Sequence, residues 1–250
     1  MVTAVEYEYK IVASLLTDIK ISNENEVSLC RGFFGERLIT LLKSGMGARG
    51  FAEHLAKHLS LNNYDALMVV GFAGGLNRSL KSGDAIIYDI CHQVNIDRIS
   101  SIACDAYLSK LIFDSLQKSM LKSILGSGVT VDRIVTGARE KIALGIQYNA
   151  LAADMESYGV MAVCAEARLP AAVLRIISDG VEADLPDFNN AIESDGRISN
   201  WRMAATIIRT PLVSLRFFRN LSPAISSFRE CMQAILNSCP GMTDRRSGNG

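Results

Sequence analysis

The sequence predicts an α/β domain in which helices pack against a β-sheet. Short apolar segments of strand length alternate with amphipathic segments of helical period, a pattern typical of layered α/β domains. Hydrophobic residues make up 49% of the 250 residues and charged residues 21%, which favours an ordered chain with a substantial core. No internal repeat or linker divides the chain. We therefore expect one domain over residues 1–238.

Four apolar segments have the composition of buried strands. The first covers residues 66–70 (ALMVV), a continuous apolar run that stops at a glycine-rich segment. Similar compositions predict strands over residues 84–90, 129–135 and 171–177. Together they would form the sheet of the domain.

Three segments between these strands have the periodicity of amphipathic helices. Phe51, Leu55 and Leu59 share one face of the first. The third covers residues 156–167 and stops before Pro170, because proline cannot continue a helix. The apolar face of the second consists of Leu108, Leu111, Ile112, Leu116 and Met120.

The last quarter of the chain differs in composition from the rest. Residues 180–200 are polar and rich in turn formers, which predicts a long loop near a site. Residues 201–238 predict helices separated by Pro211 and Pro223. The small, polar residues 239–250 predict a disordered tail.

Charge and hydropathy exclude several functional classes. The 26 basic and 26 acidic residues leave no net charge, so the chain lacks the basic excess typical of nucleic-acid binding. No apolar run approaches the roughly 20 residues of a membrane-spanning helix. The N-terminal residues 1–10 carry acids where a signal peptide carries bases. We therefore expect a cytoplasmic protein.

The cysteines and histidines predict no disulfide framework and no metal site. His54 and His58 are four residues apart on one predicted helix, but Leu-Ala-Lys separates them and no third ligand is evident. We expect no metal and no other cofactor. The six cysteines are scattered, which favours reduced, mostly buried thiols: Cys30, Cys91, Cys104, Cys164, Cys231 and Cys239.

Two short motifs follow predicted strands or precede predicted helices. The glycine-rich segment 71–75 (GFAGG) permits either a tight turn or the approach of bare N–H groups to a ligand, and the pattern does not separate the two. In residues 154–157 (DMES), a carboxylate would either cap the helix or accept hydrogen bonds from the two hydroxyls of a diol.

Two further acidic positions are candidates. In residues 175–180 (RIISDG) a strand ends in a Ser-Asp-Gly turn, which is where open α/β sheets bind ligands, although Asp179 would equally suit an Asx turn. Glu6 and Glu8 lie near the N-terminus, where isolated acids are usually solvated. Alone, these glutamates indicate no role.

Taken in order, five segments resemble the nucleoside phosphorylase/nucleosidase superfamily, which includes methylthioadenosine/adenosylhomocysteine nucleosidases. The resemblance implies a single three-layer α/β/α domain around a central mixed β-sheet, and a homo-oligomer with a dimer favoured. The DMES form and the arginines of the C-terminal helices are most similar to the hopanoid-associated branch. The segments are TAVEYE, LKSGMG, VVGFAGGLNRSLKSGD, ADMES and VLRIISDG.

This resemblance implies cleavage of the N-glycosidic bond of a purine nucleoside. Asp179 matches the aspartate that protonates purine N7, Glu156 the glutamate that binds the ribose hydroxyls, and Glu8 the carboxylate that activates water. For the hopanoid-associated branch, the substrate would be an adenosyl-lipid such as adenosylhopane, which loses adenine. The resemblance also assigns Met155 to the sugar, Ile134 and Val135 to the base, and Gly74 to the ribose or nucleophile, with Ala73 and Ser178 beside them.

Two departures from the family pattern bear on this assignment. Only Met1 and Val2 precede the TAVEYE segment, so we expect either an incomplete first strand or a start further upstream. Phosphorylases of the superfamily carry a phosphate-binding arginine at the position of Val69, so water is favoured over phosphate as the nucleophile. The alternatives are a methylthioadenosine/adenosylhomocysteine nucleosidase, a purine nucleoside phosphorylase, and a non-catalytic nucleoside- or lipid-binding protein.

Residues 201–219 combine bulky apolar side chains with arginines. Such a combination suits a helix that lies on a membrane surface or on the apolar body of a substrate. The alternative, which we favour slightly, is that the apolar residues cover the α/β core while the arginines stay solvated. The residues are Trp201, Ile207, Ile208, Leu212, Val213, Leu215, Phe217 and Phe218, with Arg202, Arg209, Arg216 and Arg219.

Overall fold

The computed structural model describes most of the chain. The described residues are 1–24, 27–47, 50–94, 100–183, 185–193, 196 and 198–238. The expected disordered tail over 239–250, including Cys239, lies outside them.

Ten strands and seven α-helices are formed by the described residues. The strands are β1 (Val2–Thr3), β2 (Thr17–Glu24), β3 (Val27–Phe34), β4 (Arg37–Lys43), β5 (Leu67–Gly75), β6 (Ala85–Gln93), β7 (Ser100–Ala103), β8 (Ser123–Thr130), β9 (Ala150–Asp154) and β10 (Ala171–Asp179). The helices are α1 (Glu6–Ala13), α2 (Phe51–Leu61), α3 (Ala106–Lys118), α4 (Ala138–Tyr148), α5 (Ser157–Glu166), α6 (Asn200–Arg209) and α7 (Pro211–Ser238).

The strands form one mixed sheet, part of which closes into a ring. β5 pairs in parallel with β10, β10 antiparallel with β6, β6 in parallel with β8, β8 in parallel with β9, and β9 antiparallel with β5. From β5 the sheet continues through β1, β4, β3 and β2, while β7 pairs with β6. This mixed sheet confirms the predicted class.

Helices cover both faces of the sheet, as the expected three-layer α/β/α arrangement requires. Adjacent residues of β5 show this, because Val69 and Val70 belong to different apolar clusters. Val69 packs in the cluster that contains residues of α2 and α5. Val70 packs in the cluster that contains residues of α1, α3 and α7.

Three of the four predicted strands are confirmed, and each is longer than predicted. The prediction for 129–135 is wrong, because β8 covers Ser123–Thr130 and the chain leaves the sheet after it. Glycines in β8 hid this strand from a search for apolar runs. A Cβ on Gly128 would lie 1.9 Å from the Tyr88 ring, and one on Gly126 would lie 2.5 Å from Leu151, so both glycines make room for large side chains.

The tight-turn interpretation of the glycine-rich segment 71–75 is also wrong. β5 continues through Gly75, with pairing to β10 on one side and to β9 on the other. Its glycines are absent from the positive-φ positions, so backbone strain does not explain them. They instead allow side chains of neighbouring elements to approach the strand closely.

Helix predictions were correct for the buried faces and less so for the ends. In α2, Phe51 and Leu55 are buried, and Leu59 packs against the same cluster. The third predicted helix is α5, which is shorter than predicted by one residue at each end. In α3 the predicted face is buried or half-buried up to Leu116, but Met120 is 94% exposed because the helix ends at Lys118.

The C-terminal helices separate at only one of the two prolines. α6 ends at Arg209 and α7 begins with Pro211, as predicted. Pro223 lies inside α7, so the predicted break there is wrong. Proline in a helix costs about 3 kcal/mol. Burial of the following half of α7, which includes Phe228 and Met232, offsets this cost.

Other segments agree with the sequence expectations or had no prediction. β1 is a two-residue strand that lies between β4 and β5. The antiparallel strands β2–β4 and helix α4 were not predicted. Among its described residues, the 180–200 segment contains a short 3-10 helix at Asn189–Ala191 and a β-bridge between Ile192 and Ile198. The five described cysteines are free and buried, as expected.

Candidate active site

The neighbouring strands β5 and β10 bring the predicted motifs 71–75 and 175–180 side by side. Gly71 is paired with Arg175, and Gly74 is paired with Asp179. Arg175 and Asp179 are four residues apart, or about 13 Å along a strand. Most candidate residues surround one or the other of these two positions.

At the first position, Arg175 holds the start of α5 against β10. Its Nη2 donates to Glu156 Oε2 at 3.1 Å, and its Nε lies 3.3 Å from Asp154 Oδ2. Both nitrogens also donate to Ser157 Oγ, at 3.0 and 3.2 Å. Nη1 donates to the Phe72 carbonyl at 3.5 Å. The guanidinium is therefore surrounded by acceptors on α5, β9 and β5.

Of the two carboxylates in the DMES motif, Asp154 is the one that caps the helix. Asp154 Oδ1 accepts the backbone N–H groups of Glu156 and Ser157 and the Thr130 hydroxyl, so it is Asp154 that satisfies the first turn of α5. Glu156 has no such capping bond. Its Oε1 accepts the Gly47 N–H at 3.0 Å, which brings the LKSGMG segment to the site.

Glu8 is buried in the same region, contrary to the expectation of a solvated acid. Its Oε1 accepts the Phe72 N–H at 2.7 Å, and its Oε2 accepts the N–H groups of Ala4 and Val5. Glu6 behaves as expected, since it is exposed and pairs with Lys43 and Lys10. The first turn of α1 thus directs one of its two glutamates into the protein.

Glu8, Asp154 and Glu156 are therefore three buried carboxylates near the single positive charge of Arg175. Their pKa values are shifted in different directions. Burial raises the pKa of Glu156 to about 7, because the favourable charge of Arg175 is offset by Asp154 and Glu8. Burial also raises the pKa of Glu8, against Arg175 and three backbone N–H groups. The pKa of Asp154 is lowered despite its burial, because Arg175 and its hydrogen bonds favour the carboxylate.

Gly71 is the residue that permits this arrangement. A Cβ at this position would lie 2.6 Å from Arg175 Nη1 and 2.6 Å from Glu8 Oε1, closer than real Cβ contacts. Any side chain there would displace one of the two groups. Gly71 of the GFAGG segment therefore makes room for two side chains of the protein, a role that the sequence analysis did not consider.

At the second position, Asp179 is buried between two side-chain donors. Lys141 Nζ lies 2.5 Å from its Oδ2, and Ser178 Oγ donates to its Oδ1 at 2.5 Å. A Cβ on Gly74 would be 3.4 Å from Oδ2, so Gly74 lies directly against the carboxylate. Among the described residues, its partners are side chains and not the backbone N–H of an Asx turn.

Met155, Ala73 and Ser178 lie beside these two positions. Met155 Cε is 3.5 Å from the place where a Cβ on Gly47 would lie. The Ala73 carbonyl accepts a hydrogen bond from Ser178 Oγ at 3.2 Å. Ile134 and Val135 belong to the loop between β8 and α4, and Val135 is buried.

The loop that carries Ile134 is tied to the 180–200 segment. Asn189 Oδ1 accepts the Ile134 N–H at 2.7 Å, and Asn189 Nδ2 donates to its carbonyl at 3.0 Å. The assignment of Ile134 and Val135 to a base stays a prediction.

Sequence reasoning missed the partners of the predicted acids. Arg175 gave a usable signal, because a charged residue within the apolar run 171–177 must be paired when it is buried. Lys141 gave none, since it lies in a polar helical segment without a recognisable motif.

Nothing in the described part of the chain suggests a metal centre. No group of three or more His, Cys, Asp or Glu side chains is suitably placed there. His58 Nε2 lies 2.6 Å from the Tyr64 hydroxyl, so His58 has a structural contact within the protein.

The prediction that the apolar residues of 201–219 cover the core is wrong. Five of their large apolar side chains are exposed, and α6 has no buried residue. Phe217 is half-buried against Phe188, with ring centroids 5.8 Å apart. No helix within the described ranges is both long and apolar enough to cross a bilayer. The exposed apolar residues are Trp201, Ile208, Leu212, Leu215 and Phe218.

The chain is similar to curated nucleosidases over most of its length. It is 24% identical over 228 residues to the 5′-methylthioadenosine/S-adenosylhomocysteine nucleosidase of Staphylococcus saprophyticus, covering 84% of this chain and 98% of that relative. It is 25% identical over 196 residues to the nucleosidase of the same name from Haemophilus ducreyi, covering 72% of this chain and 83% of the relative.

Solved structures share the fold. A 5′-methylthioadenosine/S-adenosylhomocysteine nucleosidase from Helicobacter pylori superposes with a TM-score of 0.74 at 16% identity, covering 95% of this chain and 97% of the other. A futalosine hydrolase from Helicobacter pylori gives 0.73 at 16% identity, covering 95% and 96%. The family model of the Phosphorylase superfamily matches residues 1–210. The chain therefore belongs to the Phosphorylase superfamily.

Proposed function

We propose that the protein is a hydrolase that cleaves the N-glycosidic bond of a purine nucleoside. The observation that carries the proposal is the burial of Glu8 and Glu156 around Arg175, with Asp179 four residues further along β10. Loss of a purine base requires a proton for the leaving group, negative charge near the sugar, and a positioned nucleophile. These three residues supply one requirement each.

Each residue acts in a defined way in the proposed reaction. Asp179 transfers a proton to N7 as the bond between the base and the sugar lengthens, which is general acid catalysis and contributes about 10²–10⁴-fold. Glu156 accepts hydrogen bonds from the ribose hydroxyls, and its charge stabilises the cationic sugar. Glu8 accepts a proton from the attacking water, and its raised pKa makes it a stronger base than a solvated carboxylate.

Water is the proposed nucleophile because, within the described residues, neither the residue at position 69 nor Arg175 offers a free cation to phosphate. Val69 occupies the position of the phosphorylase arginine, and its side chain is buried in an apolar cluster. The guanidinium of Arg175 is committed to Asp154, Glu156 and Ser157, and its side chain is almost fully buried.

The proposed substrate is an adenine nucleoside with an apolar 5′ substituent. The similarity to 5′-methylthioadenosine/S-adenosylhomocysteine nucleosidases supports adenine as the base. The exposed apolar residues of α6 and the first half of α7 support an extended lipid substituent, such as that of adenosylhopane. This surface borders the segment around Asn189, because Phe217 packs on Phe188 and Arg202 donates to the Asn190 carbonyl at 3.4 Å.

A membrane surface is the proposed source of such a substrate. Trp201 and Leu212 are exposed together with Arg202, Arg209 and Arg219. Apolar side chains that insert among acyl chains, beside arginines that bind anionic head groups, are typical of interfacial helices. The protein would then extract the lipid nucleoside from the membrane.

Adenine release tests the catalytic proposal. The protein is incubated with adenosine, 5′-methylthioadenosine and adenosine bearing a long 5′-alkyl group, each with and without inorganic phosphate. We expect free adenine and a reducing sugar without phosphate, and the highest kcat/KM for the alkyl substrate. Strict phosphate dependence with formation of a sugar phosphate would refute hydrolysis, and preference for methylthioadenosine would refute the lipid substrate.

Liposome flotation tests the membrane proposal separately. We expect the wild type to float with vesicles containing anionic lipid at low salt, and an Arg202→Ala/Arg209→Ala/Arg219→Ala variant to stay at the bottom. Arg229→Ala is the matched control, because Arg229 lies on the second half of α7 and binds Ser14 Oγ. If the wild type does not float, the membrane contact is excluded while the catalytic proposal is unaffected.

A further inference from the structure

Lys141 is a buried cation next to the proposed acid. Its side chain is 1% exposed and its Nζ lies 2.5 Å from Asp179 Oδ2. It also donates to the Gly180 carbonyl at 3.0 Å. The residue is the fourth of α4, so the start of this helix delivers an ammonium to the end of β10.

Burial of this ammonium costs free energy that another effect must offset. Removing a charge from water costs several kcal/mol even when a partner is present, and apolar residues of the same size often stabilise a protein equally well. Ser178 donates to Asp179 Oδ1 and Lys141 to Oδ2, so a neutral donor on Oδ2, like the hydroxyl on Oδ1, would satisfy the carboxylate without a buried ammonium. The ion pair therefore points to a function for the proton that it holds.

The ion pair between Lys141 and Asp179 must also be reconciled with the proton that the leaving base needs. A carboxylate that is ion-paired with an ammonium has no proton to give to a leaving base. Ser178 does not solve this, because its single hydroxyl proton is directed to either Asp179 or the Ala73 carbonyl, and its loss would leave an alkoxide. The acidic proton nearest to the carboxylate is on Lys141 Nζ.

We propose that Lys141 supplies the proton that Asp179 transfers to the leaving purine, an inference that rests on the proposed function. An N–H bond of the Lys141 ammonium breaks as the O–H bond of Asp179 forms. The Asp179 O–H bond then breaks as the N7–H bond forms, and the electron pair of the glycosidic bond passes to the base. Lys141 is left as a neutral amine and regains a proton from solvent after the product departs.

A double-mutant cycle on adenine release tests this proton path. We expect Lys141→Met to lower kcat on 5′-methylthioadenosine, or on the best nucleoside found, by about 10²-fold or more. Because the two residues act in series on one proton, the Lys141→Met/Asp179→Asn double variant should be no slower than Asp179→Asn alone. If the effects of the two changes multiply, Lys141 acts independently and the proposal is wrong.

A substrate whose leaving group needs no proton provides a second readout. 4-Nitrophenyl β-D-riboside releases a stable phenolate, so Lys141→Met should change its turnover only a few-fold. Equal losses on both substrates would assign Lys141 a structural role. Lys110→Met is the matched control, since Lys110 forms an exposed pair with Asp114 on α3 at 2.9 Å.

These experiments distinguish a variant that fails to fold from a variant that folds but has lost catalysis. The double variant removes both charges of the pair, so it leaves no buried unpaired charge, and its thermal unfolding shows whether the fold is retained. Lys141→Arg keeps the cation but cannot give up its proton, because a guanidinium stays protonated in proteins, so it should not recover the lost kcat. Recovery of kcat by Lys141→Arg would assign position 141 an electrostatic role and overturn the proposal. If the wild type releases no base from any nucleoside, the proposed function itself fails before any variant is compared.

Discussion

Arg175 Nε and Asp154 Oδ2 lie 3.3 Å apart, and each of these side chains is 1% exposed. The pair joins β10 to the end of β9 and fixes the guanidinium whose other nitrogen contacts Glu156. Asp154 in turn orders the first turn of α5. The position of the proposed ribose-binding carboxylate therefore depends on an ion pair that does not itself contact substrate in the proposed reaction.

Replacing Arg175 by methionine should destabilise the protein by about 3–5 kcal/mol, because it leaves buried carboxylates without their shared cation. Urea unfolding of wild type and variant measures the difference. Arg78→Met is the control, since Arg78 and Glu182 are 72% and 76% exposed at 3.6 Å. That change should alter the free energy of unfolding by less than about 0.5 kcal/mol. Equal stabilities of both variants would contradict the central role of Arg175.

Apolar periodicity was sufficient to predict the fold class and the two strands, β5 and β10, that carry the site. They failed where glycine replaced apolar residues for a tertiary reason, as at Gly126 and Gly128 in β8. The same reason explains why 71–75 looked like a turn. A sequence does not show which side chain will approach a glycine, so close packing of this kind becomes visible only in three dimensions.

The site itself was predictable only in part. The resemblance named Glu8, Glu156 and Asp179, and all three are buried beside β5 and β10. Their cationic partners come from β10 and α4, at sequence distances that no local pattern encodes. A buried acid implies a partner, but the identity of Lys141 depends on how α4 packs.

Glu156→Gln should change the pH dependence of both stability and activity. The pKa of Glu156 is raised to about 7, so between about pH 4.5 and 7 the folded state binds more protons than the unfolded state. The contribution of Glu156 to stability is therefore fully present below pH 4.5 and is lost as the pH rises to 7. Relative to Glu156→Gln, wild type should lose up to about 3 kcal/mol over this range.

Activity should follow the opposite direction, because the ribose hydroxyls require the ionised carboxylate. We expect the kcat/KM of wild type to rise with pH up to about 7, and that of Glu156→Gln to be low and to lack this rise. Urea unfolding and initial rates at each pH measure the two effects on the same samples. An unchanged pH profile in the variant would show that another group, such as Glu8, controls binding.

Asp179→Asn should strongly slow base release while the fold is retained. Asparagine has nearly the same size but carries no transferable acidic proton, so kcat should fall by about 10²–10⁴-fold. Adenine release and thermal unfolding are measured together. The Asn77→Asp variant is a control for an Asn/Asp exchange on an exposed turn, where Asn77 accepts from Ser79, and it should keep wild-type kcat. Near-wild-type turnover by Asp179→Asn would exclude Asp179 as the acid.

Gly71→Ala should remove activity by displacing the groups on either side of it. The added Cβ would lie 2.6 Å from both Arg175 Nη1 and Glu8 Oε1, and neither buried side chain has an open direction in which to move without losing hydrogen bonds. Overpacking of this kind typically costs about 1–3 kcal/mol, so we expect a folded protein with a lower melting temperature and a strongly reduced kcat.

Gly159→Ala is the matched control, because Gly159 lies in α5 with nothing within 4 Å of the added Cβ. Alanine is favoured over glycine in a helix by about 1 kcal/mol, so the control should be slightly more stable and fully active. If Gly71→Ala kept both stability and kcat, the close approach of Glu8 and Arg175 would not be required for the reaction.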